Sequence, residues 1–319
     1  MSQSQPRPDL IAPAPGVGQA TLDAFRGDRA YLGGYLGVDH RRNERRTWMV
    51  TGICAVTLVA QLAGGLLFRS MALTASGLHM AAHVAALVVA AAAYALARRH
   101  ASDPRFAFGA GKIGDLAGFA NAMVLGLTAV LIAAESVQRL FAPQAVDYAS
   151  ALPLAVGGLA VTLVCVWLLK PTEHGRHDLN LSAAHLHLTA DALFGLLAIA
   201  GLLAGQRLGW RWADPAAGLA GAALVAQFAV GLVRRASATL LDMNPSAELT
   251  AQVRARLEAE GERVVDLHLW RLGPGHHAAV AVIAADRPQA PQAYHARLKG
   301  LEGLSHVTVE VRGPETAGV

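Results

Sequence analysis

Long apolar stretches separated by short charged ones fill most of this chain, and then the rhythm changes. Apolar residues run almost unbroken over about 48–68, 77–97, 116–138, 150–169, 181–204 and 215–233. Each run reaches the roughly 20 residues that a helix needs to cross the hydrocarbon core of a bilayer. The pattern therefore predicts an α-helical membrane protein with six spans over 48–235. The segment before them, 1–47, is polar, with early prolines (Pro6, Pro8, Pro13, Pro15), and shows no cleavable signal pattern. After Arg235 the period shortens. Residues 246–260 repeat at helical spacing behind a Ser246 cap, 263–271 alternate as a strand, and Gly273 to His277 form a turn. A second strand over 278–284, a helix over 290–301 and a third strand over 306–311 follow. This order predicts a C-terminal ferredoxin-like α+β domain over 236–319.

Composition agrees. Of the 319 residues 54% are hydrophobic and 16% charged, against about a quarter charged in a soluble domain, and the mean hydropathy is +0.37. A soluble enzyme and a disordered tail are excluded. The net charge of +4 does not signal nucleic acid, because the Lys and Arg flank the apolar runs. Arg41, Arg42, Arg45, Arg46, Arg98, Arg99, Arg105, Lys112, Lys170, Arg176, Arg234 and Arg235 lie on the side of the termini. Only Arg69, Arg139, Arg207 and Arg211 lie opposite. That asymmetry predicts cytoplasmic termini in a multi-pass protein surrounded by membrane lipid, and the Ala, Arg and Gly richness points to a bacterial inner membrane. Two cysteines, Cys54 and Cys165, sit inside apolar runs and are too few and too buried for a disulfide scaffold or a thiolate metal site.

Ionisable groups at the centre of a bilayer cost roughly 2.5–3.5 kcal/mol each, so each one calls for an explanation. His79 and His83 lie in span two, and His187 and Asp191 in span five. Each pair has i,i+4 spacing and so shares one helix face. Facing one another, the two helices offer three imidazoles and a carboxylate, a tetrahedral donor set for a borderline divalent ion. Gln61, Asp115 and Asn121 are candidate pathway residues, with interhelical hydrogen bonding as the competing role. Gly118 and Gly218 are read as close-packing positions.

With these residues in place the chain resembles the cation diffusion facilitators, a family of divalent-metal/proton antiporters. The matching stretches are SMALTASGLHMAAH (70–83), FAFGAGKIGDLAG (106–118), LHLTADAL (186–193), ADPAAGLA (213–220) and LLDMNPS (240–246). The histidines of span two and the DLHLWRLGPGHH wording are most similar to the branch that exports cobalt, nickel and zinc. The resemblance implies that His79, His83, His187 and Asp191 are the transport site. It also implies a homodimer joined through its C-terminal domains. The chain departs from the family at Gln61 and Ser76, where acids are common, and at Ala110 and Gly114, which argues against a second metal site in the loop before span three. Between spans four and five only His174 and His177 remain of a His-rich loop.

The function this predicts is proton-coupled efflux of cobalt, zinc or nickel, with the metal as substrate and no catalytic cofactor. Enzyme chemistry is disfavoured: a zinc protease needs HExxH, and Met80 stands where its glutamate would be. The alternative is a membrane metal sensor, or a non-transporting subunit, on the same fold. In the C-terminal domain, alternation places Asp266, His268 and Trp270 on one strand face, opposite Val265, Leu267 and Leu269. His306 and Glu310 share a face of the third strand. His268, His306 and Glu310 are therefore candidate cytosolic metal ligands, against the reading of a solvated or dimer-facing polar surface.

Overall fold

The computed structural model describes residues 39–67, 71–101, 103–142, 148–171, 178–210 and 212–313, with the side chains of 64–65, 71–79 and 82 outside that description. Six long helices come first: α1 (His40–Leu67), α2 (Met71–Arg99), α3 (Lys112–Phe141), α4 (Tyr148–Leu169), α5 (Leu179–Leu208) and α6 (Ala213–Leu240). Among the described residues, five of them (α1, α3, α4, α5 and α6) are long and apolar enough to cross a membrane. The remaining one, α2, has 29 residues. The helices overrun the apolar runs that predicted them. Arg41, Arg42, Arg45 and Arg46 form early turns of α1 instead of a polar tail, since arginine is a good helix former whose aliphatic stem tolerates an apolar boundary.

The helix pairs in closest contact are α3 with α6, α1 with α2, and α5 with α6. Small residues permit this. A Cβ at Gly218 of α6 would strike Ser136 Oγ of α3, and one at Gly118 of α3 would sit 3.3 Å from the Leu179 carbonyl of α5. Both glycines act as packing positions, as the sequence suggested.

One end of the bundle is tied by a buried polar network. Asp178, just before α5, accepts through Oδ1 from the Asn180 and Leu181 N–H groups at 3.0 and 3.1 Å, capping the helix. Its Oδ2 accepts from the Tyr94 hydroxyl of α2 at 2.5 Å and from Asn43 Nδ2 of α1 at 3.1 Å. Asn180 Nδ2 donates to the Ala90 carbonyl at 2.8 Å.

Beyond α6 come α7 (Ala247–Leu257), β1 (Arg263–Gly273), β2 (His276–Ala284), α8 (Pro291–Leu298) and β3 (Leu304–Arg312). Ser246 caps α7, its Oγ accepting from Leu249 N–H at 3.1 Å. The sheet order is β1-β2-β3, antiparallel between β1 and β2 and parallel between β2 and β3. Both helices cover one face, where Val253, Leu257, Val264, Ile283, Tyr294 and Leu298 form the core. The expected alternation in β1 is corrected at its start. A register shift between Val264 and Asp266 puts Val264 in the core and leaves Val265 63% exposed, as a bulge does by adding one residue to one strand. Pro274, in the turn between β1 and β2, lines a small cavity with His40, Tyr94, Gly111 and Asp178, so the sheet lies at the networked end of the bundle.

Arg297 of α8 grips Glu262 in a two-pronged pair, Nη1 to Oε2 at 3.0 Å and Nη2 to Oε1 at 2.9 Å. The guanidinium holds the Glu262 carboxyl below the ordinary carboxylate range, against an opposing push from burial. Because the folded value is the depressed one, the stabilisation is complete above the unfolded glutamate value of about 4.3 and is lost as pH falls through the folded value. Glu262→Gln is expected to cost about 1.5–3 kcal/mol at neutral pH. In thermal unfolding of the detergent-solubilised chain, its gap from the wild type should close as pH falls below about 4.

Candidate metal centre

Residues on α2 and α5 converge midway along the bundle. His83 Nδ1 lies 3.0 Å from His187 Nε2 and 3.1 Å from Asp191 Oδ2, and the last two atoms are 3.5 Å apart. The i,i+4 spacing of His187 and Asp191 brings both to the α5 face that meets α2. Among the described residues, these three form a group whose ligand atoms all lie within 4.8 Å of one another. Both histidines are 6% exposed. A tetrahedral ion with bonds of about 2.0–2.1 Å spaces its ligands about 3.3 Å apart, which is the size of this triangle. A cation at the centre of the triangle would meet a lone pair from each of the three residues. His79 stands one turn before His83 on α2, and its side chain lies outside the described residues.

The triangle opens onto a cavity of about 310 Å³. Gln61 of α1, Met80 and His83 of α2, and Asp191 of α5 line it, and its α4 wall runs from Ala151 to Thr162. Its α5 wall extends from Asp191 to Ala198, toward the end of the bundle away from the sheet. Gln61 Oε1 is buried with no hydrogen-bond partner among the described residues, so the candidate pathway residue of span one does share the cavity with the ligands.

The other two pathway candidates do not. Asn121 is buried on α3, outside the cavity lining. Asp115, 1% exposed, pairs instead with Arg271 of β1 at 3.3 Å. Beside it Lys112 pairs with Asp242 after α6, and Phe108 packs edge-on against Trp270 and His306. The loop before α3 is thus docked on the sheet face that the helices α7 and α8 leave open. That placement explains His306, which is half-buried under Phe108. His268 is exposed and bonded to Asp266 at 2.9 Å, and Glu310 is bonded to Arg312 at 2.7 Å. With β2 between β1 and β3, the structure does not bring His268, His306 and Glu310 together. Sequence reading missed the Asp178 network and the Arg271 contact. The one local signal for the former was the Asp178-Leu179-Asn180 capping pattern ahead of an apolar run.

Removing Arg271 strands the Asp115 carboxylate. Arg271→Ala is expected to destabilise the chain by about 3–5 kcal/mol, and the Arg271→Ala/Asp115→Ala double variant should recover much of that loss. Additive losses in thermal unfolding would show that the two side chains do not act as a pair.

Comparison with known proteins bears on this arrangement. The model of the cation efflux transmembrane domain matches residues 47–241. The chain is 33% identical over 237 residues to a protein named zinc transporter ZitB from Pectobacterium atrosepticum, covering 72% of each. It is 28% identical over 271 residues to a cadmium, cobalt and zinc/H(+)-K(+) antiporter from Bacillus velezensis, covering 82% of this chain and 85% of the relative. It is also 28% identical over 252 residues to the cation efflux system protein CzcD of an Alcaligenes strain, covering 78% and 79%. A match over more than half the chain, spanning the helices that carry His83, His187 and Asp191, shows that the chain belongs to the cation efflux family, the cation diffusion facilitators.

Proposed function

We propose that this protein exports a divalent transition-metal ion from the cytosol in exchange for protons, binding it between α2 and α5 through His79, His83, His187 and Asp191. The observation that carries this reading is the buried triangle of His83, His187 and Asp191 at the head of the cavity. Nitrogen donors with one carboxylate suit zinc, cobalt or nickel, and the zinc, cobalt and cadmium in the relatives' names fall in the same class. Magnesium and calcium prefer shells of oxygen.

Metal binds only neutral imidazole and ionised carboxylate, so loading releases protons and protonation favours release. An ordinary histidine titrates near 6.5, within reach of a modest transmembrane pH difference. One carboxylate leaves a divalent ion with residual positive charge at the site, which favours its departure once access changes. In this reading all six long helices span the cell membrane, both termini are cytosolic, and the ferredoxin-like C-terminal domain joins two copies.

Reconstituted vesicles with an imposed pH gradient test it. Wild-type protein should accumulate zinc, cobalt or nickel against the proton flow, and Asp191→Ala should abolish uptake. Near-normal uptake by that variant would remove Asp191 from the site. Binding without gradient-driven uptake of any of the three metals would make the protein a sensor.

A further inference from the structure

One of the ties at the sheet end of the bundle is in step with the metal centre. Asn180 of α5 is fully buried, and its Nδ2 donates to the Ala90 carbonyl of α2 at 2.8 Å. Ala90 follows His83 by seven residues, and Asn180 precedes His187 by seven. Contacts that climb α2 as they descend α5 make the two helices antiparallel, so both steps run the same way. Seven residues are two turns, about 10.5 Å along the axis, and return to within about 20° of the same face. The Asn180 bond therefore sits two turns toward the sheet from the His83–His187 contact, on the same faces of the two helices. One turn further, Tyr94 repeats the tie by donating to Asp178 at 2.5 Å. α3 backs Asn180 at Gly114, where a Cβ would stand 3.5 Å from the Asn180 Cβ.

On the reading of a metal centre given above, we propose that Asn180 is its positioning residue, setting the register of α2 against α5 so that His83 meets His187 and Asp191. The α2–α5 pair is not among the helix pairs in closest contact, so side chains that bridge the two helices carry more of the task of fixing their register. A hydrogen bond from an amide to a helix carbonyl suits that task, because it is short and directional. A slip of one residue along the axis, about 1.5 Å, takes Nδ2 out of reach of the Ala90 carbonyl. The same slip opens a triangle whose edges are 3.0, 3.1 and 3.5 Å, and a preorganised site tolerates only about 0.5 Å. Packing alone does not account for an amide here. An apolar side chain would fill the space without the cost of burying polar atoms, and Asn180 Oδ1 has no hydrogen-bond partner among the described residues. The residue acts through the helices and not by touching the ion.

Cobalt reports the geometry directly, because a four-coordinate cobalt(II) ion absorbs visible light far more strongly than a six-coordinate one. The full-length protein in detergent, titrated with cobalt, should show the intense tetrahedral bands. Asn180→Leu, which keeps the bulk and loses the donor, should bind cobalt about tenfold more weakly and with fainter bands. Glu262→Gln, which weakens the C-terminal domain, should keep the wild-type affinity and spectrum, and so separates lost positioning from lost stability. Wild-type affinity and bands in Asn180→Leu overturn the proposal and leave the metal centre standing. An equal loss in Glu262→Gln overturns it too, since destabilisation alone then produces the effect. Absence of tetrahedral bands in the wild type overturns the metal-centre reading, and the role of Asn180 with it. Should Asn180→Leu fail to fold, Asn180→Ser, too short to reach the carbonyl, is judged by the same two readouts.

Discussion

Every ionisable or strongly polar group that these helices bury must find a hydrogen bond, a counter-charge or an ion, because the interior of a membrane bundle offers little water to solvate it. Much of the architecture follows from how that demand is met at different depths. At the sheet end it is met within the protein. Asp178 takes four donors from α1, α2 and its own helix, and Asp115 takes a guanidinium from the sheet. At mid-depth three potential ligand atoms face one another around a common centre. The same constraint thus accompanies a structural network in one place and a candidate metal centre in another.

Those networks also divide the helices. The α3–α6 pair is the most extensive helix contact, and it is the pair tied to the C-terminal region, by Asp115 to Arg271 and by Lys112 to Asp242. The cavity is built instead by α1, α2, α4 and α5. The ion pairs to the C-terminal region therefore fall on helices that do not line the cavity. Phe108, wedged against Trp270 and His306, makes the loop before α3 a point of contact between sheet and bundle.

Local pattern in the sequence carries a good deal of this. Apolar runs locate the long helices, although α1 begins eight residues before its run and α6 ends seven residues after its own, and the strand patterns locate all three strands. The i,i+4 spacing of His187 and Asp191 is by itself enough to put both on one helix face. What cannot be read locally depends on pairings between distant segments. Asn43 meets Asp178 across 135 positions and Cys54 meets Cys165 across 111, and no periodicity encodes such encounters. Val265 fails for another reason. Alternation assumes an unbroken ladder, and one bulged residue reverses every inference on the far side of it. His268, His306 and Glu310 lie on strands that alternation places correctly, yet strand order, which alternation leaves open, keeps β2 between them.

In the efflux reading proposed above, the position of the cavity constrains how an ion would pass. Its walls continue from the triangle toward the end of the bundle away from the sheet, along Ala151 to Thr162 and Asp191 to Ala198. On the sheet side the way is filled by Val50, Leu87, Leu169, Leu188 and the two thiols. A charged ion cannot cross such a plug without losing most of its solvation. In that same efflux reading, an ion entering from the sheet side would require α1 and α2 to part from α4 and α5, since those four helices supply the plug. The plug and the triangle share the contact between α2 and α5, so a change at that contact alters both the filling of the sheet side and the geometry of the candidate ligands.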